Sequence, residues 1–200
     1  MRGRGSLWIK LGLLLIAAAL LLTAYNLYDR FRAERSVQTA AAQIAQLTPE
    51  EGVSDYLTTP EMEMPTQRID GRDYIGILRI PTLGLTLPII SQWSYPDLKV
   101  APCRYEGSAY TDDLILAAHN YPAHFGNLKT LHPGDQVSFT DIDGNQFHYQ
   151  VVELETLQPT AIQEMEAGEW DLTLFTCTLG GQSRVTVRCE RTDRPSLPGT

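Results

Sequence analysis

Cysteine is scarce in this chain of 200 residues. There are three, Cys103, Cys177 and Cys189, with no C-x-x-C pair and no cysteine–histidine spacing suited to zinc. A structural zinc site is therefore excluded, and no metal ligand set is expected. In an exported protein an odd count leaves a thiol free or paired between molecules. Basic charge is scarce as well. The net charge is −8, and Arg2, Arg4 and Lys10 put +3 on the first 28 residues, leaving −11 on the remainder. A nucleic-acid partner needs a basic surface, so that class is excluded; the acidity is read as a solubility feature. Internal repeats and low-complexity tracts are absent too, and the length suits one ordinary domain with extensions.

One long apolar run is present. Leu11–Ala24 reads LGLLLIAAALLLTA without a charge, and its flanks extend it to a 22-residue segment from Leu7 to Tyr28. That length crosses a hydrocarbon core of roughly 30 Å. Lys10 can snorkel, and Trp8, Tyr25 and Tyr28 stand where interfacial aromatics belong. The basic residues ahead of the run place the N-terminus in the cytoplasm and the rest outside, as a single-pass plasma-membrane protein. The run is long for a signal peptide and no A-x-A site closes it, so an uncleaved anchor is expected over residues 1–28. Residues 29–69 read as an extracellular helix and linker. Val37, Ala40, Ala41, Ile44 and Leu47 follow helical spacing, and a Pro-, Thr- and acid-rich arm comes after them.

From Tyr74 the pattern becomes β-rich. YIGILRI and LGLTLPII flank Pro81-Thr82, and LILAA over Leu114–Ala118 is a short buried run. QVSFT and QFHYQVVEL flank a turn at Asp141–Gly144, and Leu172–Cys177 and Arg184–Glu190 flank Leu179-Gly180-Gly181. Seven or eight short strands with few helices predict a closed or sandwiched β-domain.

Cys177 ends one strand and enters a Gly-rich turn, and Arg184 opens the return strand. A thiol there is either a nucleophile or a small buried hydrophobe. The arginine is either a solvated surface residue or a fixed cation able to stabilise a thiolate or an oxyanion. A thiol nucleophile wants an acid/base partner. His119, directly after LILAA, is the first candidate and His124 the second; His132 lies in a turn and His148 inside a strand.

Together these residues match a family. The segment from about Asp70 to Asp193 resembles the sortases, membrane-anchored cysteine transpeptidases of Gram-positive bacteria. Thr173-Leu174-Phe175-Thr176-Cys177 fits their T-L-x-T-C signature, and Arg184-Val185-Thr186-Val187-Arg188 resembles the arginine-led strand that follows. Ala118-His119-Asn120 stands where the family has G-H-N or G-H-T. YIGILRIPTLGLTLPI resembles the opening strands and NLKTLHPGDQVSF the middle.

The resemblance implies an eight-stranded β-barrel with short helices over residues 70–193, preceded by an N-terminal transmembrane helix and followed by a flexible tail, 194–200. It implies Cys177 as nucleophile, His119 as general acid or base, and Arg184 as oxyanion stabiliser, with Arg188 the fallback. Ala118, Asn120 and Thr176 would contact substrate. Substrates would be secreted proteins with a C-terminal sorting signal similar to L-P-x-T-G, joined through a thioacyl intermediate to an amine of a peptidoglycan precursor or of a pilin lysine. No cofactor is implied. Glu153, Glu155, Glu164 and Glu166 raise calcium, as in one branch of the family, but lack the spacing of a calcium loop. Cys103 and Cys189, where relatives often have glycine, are candidates for a disulfide that leaves Cys177 free.

Two other readings of the same residues are a cysteine peptidase that mainly hydrolyses its intermediate and a membrane-anchored β-module that binds without chemistry. A cell-wall L,D-transpeptidase would carry its histidine and cysteine close in sequence, which this chain does not. The terminal Ser196-Leu197-Pro198-Gly199-Thr200 has the order L-P-G-T with no apolar tail, and reads as a frayed end.

Overall fold

A computed structural model of the chain describes residues 3–50, 52, 54–166, 170–178 and 181–194. The expected tail, including the L-P-G-T stretch, lies outside the described residues apart from Arg194, as do Leu179 and Gly180 of the turn after Cys177.

The first element is a single helix, α1 (Gly3–Leu47), about 68 Å long at 1.5 Å per residue. Its two halves obey different rules. The apolar window near the N-terminus is long and apolar enough to cross a membrane, and none of it is buried against protein. Beyond it Ala33, Val37, Ala40, Ala41 and Ile44 recur at helical spacing and are buried against the strands, whereas Leu47 stays exposed. A small-residue stripe lets the helix approach a sheet closely, with Ile44 the fully buried anchor point. The arm that follows is more structured than its composition predicts. A 3-10 turn at Ser54–Leu57 tucks Tyr56 against Tyr110, ring centroids 4.7 Å apart, and Met64 is buried.

Nine strands follow among the described residues: β1 (Gln67–Ile69), β2 (Arg72–Ile80), β3 (Leu85–Ile90), β4 (Cys103–Glu106), β5 (Leu114–Ala118), β6 (Gln136–Asp141), β7 (Gln146–Leu157), β8 (Leu172–Cys177) and β9 (Arg184–Arg191). Short helices α2 (Tyr95–Leu98) and α3 (Ile162–Glu166) interrupt them. The order β2-β3-β4-β5-β8-β9-β7-β6 closes through a β2–β6 pairing, giving an eight-stranded barrel with β1 appended to β2. Closure needs Gly76. Its φ is +155°, and a Cβ there would come within 2.1 Å of the Thr140 carbonyl oxygen on β6. Only glycine lets the two strands meet across that gap.

The interior is filled by alternate residues. Leu78, Ile80, Leu87, Ile89, Leu114, Leu116, Phe139, Phe147, Leu172, Leu174 and Val187 are all fully buried. Cys103 and Cys189 belong to this core and are free thiols, so the disulfide is not formed. Strands β5 and β8 separate β4 from β9. At about 4.8 Å per strand the two cysteines stand several strand widths apart, and a disulfide needs Cα atoms within about 7 Å. Burial pushes the Cys103 thiol up to about 12 and raises Cys189 as well, so both stay protonated fillers of the barrel.

Candidate active site

Three strand ends meet at one rim of the barrel. In the antiparallel pair β8–β9, Cys177 lies directly opposite Arg184, which puts their Cβ atoms roughly 5 Å apart on the same face. Strand β5 runs parallel to β8 with Ala118 opposite Thr176, so His119 leaves β5 beside Cys177. All three side chains line one cleft of about 230 Å³. Residues distant in sequence are gathered because a parallel β5–β8 pair brings both C-terminal strand ends to the same rim.

The expected substrate contacts divide. Ala118 lines the cleft. Thr176 does not: it is 3% exposed, and its hydroxyl donates to the Ala118 carbonyl at 2.8 Å. It is a strut that fixes β5 against β8, and so fixes His119 beside Cys177. Asn120 is half-buried and lies outside the cleft lining.

The two arginines of β9 are settled by their surroundings. Arg184 reaches the cleft, with Nη1 donating to the Gly181 and Ser183 carbonyls at 3.3 Å each. It has no carboxylate partner among the described residues. Arg188 is 2% exposed and saturated. Its Nε donates to Glu155 at 2.7 Å, and Nη1 to Thr173 Oγ1 at 3.0 Å and the Met165 carbonyl at 3.1 Å; Nη2 donates to the Glu164 carbonyl. A fallback role at the cleft is therefore ruled out. Arg188 instead pins α3, whose Ile162 and Met165 form one wall of the cleft.

His119 is half-buried, and its pKa lies below the ordinary 6.5, first because of burial and then because of the Lys99 charge, with Asp29 acting in the opposite sense. Its ring centroid is 5.2 Å from that of Tyr121, whose hydroxyl donates to Asp29 of α1 at 2.9 Å. His124 is fully buried, 5.4 Å from the Tyr121 ring, with neither ring nitrogen hydrogen-bonded. Burial, then the neighbouring His119, hold it down to about 4. His124 is thus a buried neutral neighbour and not a member of the cleft lining.

Sequence reasoning missed the aromatic wall. Trp93 stacks on Tyr105 at 5.9 Å, and Tyr105 meets Phe175 edge-on at 5.4 Å. Trp93 and Tyr95 remain 42% and 72% exposed at the mouth. Four aromatics within a few residues of strand ends were the available signal. The four glutamates do not gather: Glu155 pairs with Arg188 and Glu166 accepts from Tyr105 at 3.4 Å. Among the described residues no group of three His, Cys, Asp or Glu side chains is placed to hold a metal ion. Chemically, the cleft offers a half-exposed thiol, an imidazole favoured in its neutral form and an unpaired guanidinium beside an apolar trough.

Known proteins are similar to this chain in sequence and in fold. The chain is 22% identical over 162 residues to sortase A of Bacillus anthracis, covering 75% of this chain and 77% of that protein. In three dimensions it is similar to a sortase D5 transpeptidase of Clostridium perfringens, with a TM-score of 0.58 and 18% identity over 80% of this chain and 98% of that one. A pilus-related sortase C of Group B Streptococcus gives 0.54 and 23%, over 84% and 97%. The sortase domain model matches residues 78–192, more than half of the sequence and all three cleft residues, and the chain belongs to the sortase family of cysteine transpeptidases.

Proposed function

We propose that this protein is a membrane-anchored sortase that cleaves a C-terminal L-P-x-T-G-like sorting signal and joins the secreted substrate to an amine of the cell wall or of a pilin. Cys177 attacks the scissile carbonyl as its thiol proton passes to His119, and Arg184 stabilises the resulting oxyanion. His119 gives a proton to the leaving amine. The thioacyl intermediate is then resolved when His119 takes a proton from the incoming amine. The observation that carries this reading is the direct Cys177–Arg184 pairing with His119 in the same cleft.

The apolar trough of Trp93, Tyr105, Phe175, Ile162 and Met165 suits an aliphatic side chain and a proline ahead of the scissile bond. The exposed apolar half of α1 is read as the anchor, with Arg2, Arg4 and Lys10 on the cytoplasmic side and the barrel outside.

The test mixes the protein with a labelled L-P-x-T-G-type peptide library and triglycine, with products read by mass spectrometry beside a Cys177→Ala control. Amine-joined products that vanish in the control are expected. Hydrolysis that added amine leaves unchanged would overturn the transferase reading.

A further inference from the structure

Where α1 enters the barrel it leaves two adjoining cavities, about 680 and 330 Å³, that share Arg32, Arg72 and Val100. Four cations line them: Arg32 and Arg35 from α1, Arg72 from β2, and Lys99 after α2. Two carboxylates, Asp29 and Asp70, line them as well, and Asp29 is engaged by the Tyr121 hydroxyl. Arg72 is oriented by Asp97 at 2.7 Å, whereas Arg32, Arg35 and Lys99 have no ion-pair partner among the described residues. This groove is positive on a chain that is −11 beyond residue 28. General basicity therefore does not account for it.

Its height along α1 is the second observation. Arg32 and Arg35 lie about 6 and 10 Å past Tyr28, the last residue of the apolar segment. The headgroup layer of a bilayer, about 5–8 Å on each side of the hydrocarbon, takes in Arg32, and Arg35 stands just beyond it with a side chain long enough to reach back. Tyr28 and Phe31 line the end nearer the apolar segment. Arginine forks match phosphate oxygens in pairs. At its other end the groove reaches Tyr95, which also lines the catalytic cleft.

We propose that this groove binds the phosphate of an anionic lipid headgroup and so seats the barrel, with its cleft, at a fixed height on the membrane surface. The inference rests on the reading of α1 as the anchor. An occupied groove would fill the wedge between helix and barrel, beside the Tyr121–Asp29 bond that already ties them.

The test uses the full chain in uncharged detergent, titrated in separate arms with phosphatidylglycerol, phosphatidylcholine and inorganic phosphate, with bound species counted by native mass spectrometry. Phosphatidylglycerol is expected to be retained preferentially. Arg32→Ala with Arg35→Ala should weaken it, by about five-fold for each arginine removed. Arg30→Ala is the control: Arg30 sits about 3 Å short of Arg32 along α1 but lines a different hollow beside Glu34 and Tyr121, so binding should not change. Equal loss from Arg30→Ala would overturn a defined groove in favour of diffuse surface charge. Equal retention of phosphatidylcholine would overturn recognition of the anion, and equal binding of inorganic phosphate would overturn the lipid as its source. The anchor reading fails separately, if the chain washes off phosphatidylcholine vesicles in alkaline carbonate.

Discussion

The two ends of the β8–β9 hairpin carry similar residues in opposite circumstances. At the rim, Cys177 faces Arg184 across one antiparallel pair, and among the described residues the guanidinium meets only the Gly181 and Ser183 carbonyls. Four residues down, Arg188 faces Thr173 and meets a carboxylate, a hydroxyl and two backbone carbonyls. The thiols divide likewise, with Cys177 half-exposed and Cys189 buried at the root. Residue type does not separate reagent from scaffold. What separates them is how far the fold has already enclosed the thiol or partnered the guanidinium.

The strongest way to break this comparison is at sulfur. Cys177→Ala should lower acyl transfer by at least about a thousand-fold, while Cys189→Ala leaves the rate within a few-fold. In the folded protein a thiol reagent should label Cys177 alone, with Cys103 and Cys189 reacting only after denaturation. Labelling of all three at similar rates would erase the distinction.

The arginines sharpen it. Arg184→Ala should cost about 10²–10³ in kcat with the melting temperature unchanged. Arg188→Ala should cost about 3 kcal/mol of stability, because it leaves Glu155 and the carbonyls of α3 without a donor. Its surviving folded fraction should show a raised KM as the α3 wall loosens. Urea unfolding and steady-state kinetics on both variants separate the two outcomes.

A third test concerns the buried histidine behind the site. His124 binds a proton at about 4 in the folded chain against an ordinary 6.5. Between those values the unfolded chain holds more protons, so folding stability is full above about 6.5 and declines as pH falls toward 4. The loss should reach roughly 3 kcal/mol, and His124→Leu should flatten the slope measured by urea unfolding from pH 7 to 4. The smallest effect belongs to Lys99→Met. Removing that charge should raise the His119 midpoint in an NMR titration, because the Lys99 cation disfavours a second positive charge on the imidazole.

Much of this was legible in the chain. Strand β5 coincides with LILAA, and β8 with Leu172–Cys177, because continuous apolar runs bounded by turn residues have few alternatives. The Cys177, His119 and Arg184 positions followed from the T-L-x-T-C signature and the strand ends around it. Strands β1 and β4 were not legible: three or four residues held by barrel pairing leave little periodic signal. The Cys103–Cys189 pairing, suggested by the odd cysteine count, is not formed, because a count carries no information about which strands intervene. Thr176 looked like a substrate contact only because it precedes the thiol, where alternation turns it inward. The role of Arg188 needed Glu155 of β7 and the carbonyls of α3, a short helix held in place by that very arginine.

The helix α1 has no break between its apolar half and the half packed on the barrel. It is therefore a rigid shaft, and the barrel is keyed to it through Ala33, Val37, Ala40 and Ile44. On the anchor reading, the compass bearing of the cleft is set by helix pitch. One residue inserted between Asp29 and Ala33 would swing the cleft by about 100° and lift it by about 1.5 Å. The length of that short stretch thus works as a dial, aiming the enzyme at whatever emerges beside it.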